Sequence, residues 1–217
     1  MNVAMVPNVS FLIVLSLLVL QVPPVTGQQL NNLGEGFFTP KTDVVETLYL
    51  YDIPNSRQNR QPKPVDSITF VKRYAAHVDA IGYAPDNFMP FKEKLDYGVF
   101  LIKVKRLGRD YHEIIINEET GKTAYVSALQ GDFISWGQFF LNCHSVEFID
   151  NNQKVFDNPM IKSAGRVVSP ANFRVRYVMG DWMEVEILAG DYNTVKRKGW
   201  IRWRKDGKLL VNYNLFA

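Results

Sequence analysis

Three short blocks of this sequence occur twice, in the same order, and that repetition narrows what the chain can fold into. Tyr51-Asp52-Ile53-Pro54 matches Phe156-Asp157-Asn158-Pro159. Gly108-Arg-Asp-Tyr111-His-Glu-Ile114-Ile-Ile116 matches Gly180-Asp-Trp182-Met-Glu-Val185-Glu-Ile187, and Lys122-Thr-Ala124-Tyr125-Val126 matches Lys198-Gly199-Trp200-Ile201. One such block arises easily by chance, three in sequence hardly. The pattern has a physical reading: a Gly-Asp turn supplies a tight reversal, the aromatic covers the end of a small barrel, and alternate aliphatics fill it.

The spacing between blocks differs. The first copy carries a long insertion, 57–96, with Pro62, Pro64, Pro85 and Pro90, and the second is compact. The chain therefore reads as mainly β, with two small modules at 44–128 and 146–217. A segment at 129–145 links them, and 28–43 is a loose leader into the fold.

Alternation supports the strands. Phe100, Ile102 and Val104 oppose Lys103 and Lys105, and Met183, Val185 and Ile187 oppose Glu184 and Glu186. Phe173 to Val178 alternates as strictly. Gly199 to Arg204 and Lys208 to Tyr213 read as one hairpin turned at Asp206-Gly207. Only Ser135 to Asn142 looks helical, with Ser135 as N-cap and Trp136, Phe139 and Phe140 as its apolar face.

The first 27 residues read as a cleavable secretory signal peptide. Phe11 to Leu20 is too short for the ~20 apolar residues of a membrane-spanning helix but suits a signal h-region. Pro23-Pro24 and then Val25-Thr26-Gly27 follow, so cleavage is expected before Gln28. The n-region has no Lys or Arg, and an uncleaved anchor is the alternative. The expected location is periplasmic or extracellular, with no membrane-spanning segment after cleavage. The net charge of +3 is too mild to imply a nucleic-acid partner. A single cysteine, Cys143, excludes an intramolecular disulfide, so stability comes from packing.

Gly180-Asp-Trp-Met-Glu-Val-Glu followed by Gly199-Trp-Ile-Arg-Trp resembles the second half of bacterial SH3-like (SH3b) domains, where a G-x-W-x-x-V strand precedes a G-W-[IV] strand. Phe156-Asp-Asn-Pro159 resembles the segment that opens such modules. In the first copy Tyr111 and Tyr125 replace the two tryptophans and Ala124 replaces the glycine. The resemblance implies two tandem SH3-like β-barrels of five or six strands each, joined by a short helix. Such barrels are often found in exported proteins, and some bind cell-wall peptides.

Cys143-His144 are adjacent, whereas a catalytic Cys–His pair is normally made by residues distant in sequence, so a buried thiol is the default. His77, His112 and His144 share no metal-ligand spacing, and His112 falls on the face of Ile114 and Ile116 as a core or rim histidine. No metal, cofactor or enzymatic activity is expected. The sharpest local signal is Lys196 to Lys205, where alternation sets Trp200, Arg202 and Arg204 opposite Ile201 and Trp203. It fits either a ligand surface or a solvated basic edge, with Glu184 and Glu186 as partners offsetting the arginines.

The function expected is recognition of a cell-wall peptide, a glycan or an envelope protein, at a surface built from Trp182, Trp200, Arg202, Tyr111 and Tyr125, with the 57–96 loop contributing. The alternatives are a structural or assembly subunit of an envelope complex and, more remotely, an envelope thiol hydrolase.

Overall fold

In the computed structural model, residues 33–52, 62–74, 77–168, 171–190 and 194–216 are described, apart from the side chains of residues 73, 74 and 77. The signal-peptide stretch 1–27, Ile53-Pro54 of the first block and the side chain of His77 lie outside this set. The described chain is mainly β. Its strands are β1 (Gly36–Pro40), β2 (Thr47–Leu50), β3 (Asp66–Tyr74), β4 (His77–Tyr83), β5 (Lys92–Lys94), β6 (Val99–Arg106), β7 (Tyr111–Ile115), β8 (Thr123–Ser127) and β9 (Gly131–Ser135). After α1 (Trp136–Leu141) come β10 (Ser145–Phe148), β11 (Lys154–Phe156), β12 (Gly165–Val167), β13 (Asn172–Met179), β14 (Trp182–Leu188), β15 (Val195–Arg202), β16 (Arg204–Lys205), β17 (Lys208–Leu209) and β18 (Val211–Asn214).

The two halves run their strands in the same antiparallel order. The first is β9-β1-β6-β7-β8 and the second is β18-β10-β13-β14-β15. In each, a hairpin from the preceding loop joins the last strand: Tyr51 bridges Tyr125, and Phe156 pairs with Trp200. The registers also coincide. His112 faces Val126, Glu113 faces Tyr125 and Ile114 faces Ala124, while Met183 faces Ile201, Glu184 faces Trp200 and Val185 faces Gly199. Even the irregularity recurs, as a register shift at Lys105 in β6 and at Arg176 in β13. The three repeated blocks thus occupy equivalent pairing positions, because turn and alternation together fix register.

Two clusters form the core. One gathers Phe38, Leu48, Ile68, Ile102, Ile114 and Val126 inside the first half. The other gathers Val146, Phe173, Val185, Met183 and Ile201 inside the second, but it also takes in Phe37 and Leu101 from the first half's opposite face. The link between them is α1, held at its start by a reciprocal capping box between Ser135 and Gln138. Its Trp136 and Phe139 rings lie 4.6 and 4.8 Å from that of Phe37, and Phe140 lies 5.1 Å from Trp203. The helix is therefore a shared plug, and the two halves pack as one body.

Several expectations are corrected. The described part of the segment 28–43 is no mere leader, since β1 is an interior strand of the first sheet, paired on both sides by β6 and β9, with Phe37 and Phe38 both fully buried. The linker 129–145 contains β9, which pairs with β1 along its whole length, and the start of β10. The C-terminal hairpin is only a two-residue ribbon, β16–β17, although its Asp206-Gly207 turn has the paired positive φ values, 50° and 72°, of a type I′ turn. The longer strands on either side pair elsewhere, β15 with β14 and β11, and β18 with β10.

Candidate functional site

Trp182 begins β14 immediately after the two-residue turn Gly180-Asp181, where Gly180 takes φ +58°. Its pairing partner across the ladder is Arg202. Met183, Val185 and Ile187 fill the interior, so period-2 alternation turns Trp182, Glu184 and Glu186 outward. Phe156, brought in by β11, meets the Trp182 ring edge-on at 5.3 Å and 88°. A cleft of about 300 Å3 opens here, lined by Asn152, Gln153, Lys154, Phe156, Ile161, Trp182, Arg202, Lys205 and Leu210.

The lining holds three cations and no carboxylate. Arg202 touches Asp181 only through Nη2 at 3.4 Å, and its Nε has no acceptor among the described residues. Arg204 Nε donates to the same carboxylate at 2.6 Å. That bond, with Arg202 adding to it against some burial, holds the Asp181 carboxyl below the usual carboxylate range. Lys154 and Lys205 form no ion pair with the described residues.

The five residues singled out from sequence divide three ways. Trp182 and Arg202 share the cleft. Trp200 sits one pair along the same face, its ring at 6.3 Å from Tyr177 and outside the lining. Tyr111 and Tyr125 belong to the other half, where Tyr111 meets Tyr51 edge-on at 5.2 Å and 74°, matching Trp182 with Phe156. Tyr125 Oη accepts from Arg106 at 3.1 Å. Among the described residues the insertion contributes nothing to the cleft; residues 79–96 line a separate hollow of about 790 Å3 bordered by Asp79, Asp86, Glu93 and Asp96. Lys154 and Ile161 carry no signal in the sequence, whereas Lys205 ends the basic segment singled out there. Phe156 was legible there, because it stands in the first repeated block.

The basic segment is no simple edge either, because β15 is paired on both sides at Trp200. Nor do the glutamates offset Arg202 and Arg204. Glu186 takes Arg176 at 2.7 Å, with Lys198 at 3.7 Å and Arg174 at 3.9 Å around it. The Arg176 hydrogen bond holds its carboxyl below the ordinary value against partial burial. In the first half burial pushes the Glu113 carboxyl up, but Lys105 and Arg106, each at 2.8 Å, more than reverse it.

The remaining chemistry-bearing groups sit in the core. Cys143 is 8 % exposed, donates to the Phe139 carbonyl at 3.3 Å, and burial pushes its thiol up to about 12. His112 packs near Phe38 and Phe133 and accepts from the Gly108 N–H at 3.3 Å, and burial lowers its pKa. Among the described residues no three His, Cys, Asp or Glu side chains gather to hold a metal, and no helix is long and apolar enough to cross a membrane. In comparisons with known proteins, no family model, no curated protein and no solved structure matches the chain.

Proposed function

We propose that the chain is an exported binding protein, periplasmic or extracellular, whose two SH3-like modules attach it to a component of the bacterial cell envelope through the outer face of the second module. The modular reading is supported by the five-strand order and register common to both halves, and by the loop hairpin that joins each. The observation that carries the binding reading is the cleft itself. An aromatic pair and three cations meet in an open site with no carboxylate in its lining, which is the composition of a recognition surface rather than of a satisfied ion-pair network. No catalytic step is assigned to it.

The test is co-sedimentation of residues 28–217 with isolated cell-wall sacculi at low and high salt. Specific recognition predicts pelleting that survives high salt, and the opposing result is pelleting abolished by salt or absent throughout. A second reading, as an assembly subunit, is favoured by Met160, Ile161 and Val167, which stand exposed on the loop and strand at the cleft, Ile161 within its lining. It predicts a stable complex with an envelope protein on purification and no retention by sacculi.

A further inference from the structure

We propose that the cleft between Phe156, Trp182 and Arg202 takes an acidic sugar, a pyranose ring bearing a carboxylate, as a unit of an envelope glycan; this rests on the reading of that cleft as the binding surface. Its size, about 300 Å3, stands at the small end of ligand sites and suits one ring rather than a folded partner. The Trp182 side chain, fixed edge-on by Phe156, offers apolar ring surface to the C–H face of a sugar.

Charge decides the next feature. With Arg204 holding Asp181 at 2.6 Å, Arg202 is only weakly engaged by that carboxylate, and among the described residues Lys154 and Lys205 have no acid paired with them. A ligand carboxylate supplies the missing partner, and a guanidinium is the side chain best shaped to receive it. The basic cluster farther along the same face differs, because Arg174, Arg176 and Lys198 already surround Glu186.

The polar lining favours sugar over peptide. Asn152 and Gln153 supply side-chain amides, which both donate and accept and so match hydroxyl groups. Asn152 Nδ2 donates to Asp150 at 3.0 Å, which leaves its Oδ1 as an acceptor. An acidic peptide would be expected to extend a sheet edge. The edge strand beside β11 is β12, only three residues long and with no residue in the lining, and the β16–β17 ribbon has strands of only two residues.

The experiment is calorimetric titration of residues 28–217 with three probes: a uronic-acid trisaccharide, the neutral hexose trisaccharide of the same linkage, and triglutamate. The uronate is expected to bind at least roughly tenfold tighter than either of the others, the scale of one charge-assisted contact. Arg202→Met should erase the preference over the neutral sugar, and Trp182→Ala should weaken both sugars. Lys154→Gln with Lys205→Gln, two exposed changes, serves as a second variant should Arg202→Met unfold, and it should also shrink the preference. Equal binding of neutral and acidic sugar overturns the proposal, as does tighter binding of triglutamate, which would mark a peptide site. Retention by sacculi without any uronate binding defeats this inference alone, whereas loss of retention defeats the binding reading beneath it.

Discussion

Phe37 and Ser145 hold the same register position in the two halves, each one residue before the core side chain, Phe38 or Val146, that pairs with the second strand. Phe37 is apolar and drives into α1, so that this end of the first half's outer face becomes interior to the molecule. Ser145 instead accepts from Asn214 Nδ2 at 3.2 Å, and the second-strand position equivalent to buried Leu101 holds polar Asn172, which pairs with Glu147. One backbone arrangement therefore serves two ends. What the outward position carries decides whether it drives into α1, as Phe37 does, or is closed off by a side-chain hydrogen bond, as at Ser145, which is polar yet only 1 % exposed.

The largest expected effect breaks the comparison at its joint. Phe37→Ala should cost about 3–5 kcal/mol, the usual range for truncating a buried aromatic. All four tryptophans, Trp136, Trp182, Trp200 and Trp203, lie in α1 or the second half. Denaturant unfolding followed by tryptophan fluorescence should shift to a lower midpoint with Phe37→Ala, as a single transition. An unmoved midpoint would mean that the halves fold independently.

A smaller effect comes from equivalent positions of the third block. A Cβ on Gly199 would stand 2.4 Å from Cγ1 of fully buried Val155, so Gly199→Ala should destabilise by about 1–3 kcal/mol. At the matching position the first half already holds Ala124, and Ala124→Gly should cost only about 0.5–1 kcal/mol. Equal losses in the two melts would show that the sheets are not packed alike on their preceding hairpins.

The acid response sharpens the electrostatic contrast. Glu113 and Glu186 both have folded pKa values held below the ordinary 4.5. Each therefore contributes stability that is whole above the unfolded value and is lost as pH falls through the folded one. Glu186→Gln should lower stability at pH 7, and its deficit against the wild type should vanish well below pH 4.5. A deficit independent of pH would place its origin in packing. The least effect is expected at Cys143, where a native thiol pushed to about 12 should resist alkylation at pH 8 and react only in denaturant. Cys143→Ala should leave retention by sacculi unchanged.

The repeat was legible in the sequence because its signals are local: a turn glycine, an aromatic, and side chains alternating inward and outward. That is why alternation sets Trp200 and Arg202 on one face, and why Ser135 reads as the start of α1. β1 was not legible. Phe37 and Phe38 are buried on opposite sides, and a strand buried on both faces shows no alternation to read. The same limit applies to the cleft. Lys154 and Ile161 reach it through β11 and the loop that follows, and pairing between distant segments leaves no mark in local pattern. Glu186 was read as a partner for Arg202 and Arg204 on strand adjacency, but the register sets it opposite Arg174 and Lys198.

Trp182 and Tyr111 are equivalent residues in the two halves, each meeting an aromatic from the preceding hairpin edge-on, and only Trp182 stands among cations in a cleft. The most direct measurement is retention by sacculi at high salt of Trp182→Ala beside Tyr111→Ala, each checked for an unchanged melting transition. Loss of retention with Trp182→Ala and full retention with Tyr111→Ala is the result predicted. Retention kept by Trp182→Ala and lost by Tyr111→Ala would contradict the account, because it would place recognition in the half whose outer face is partly buried.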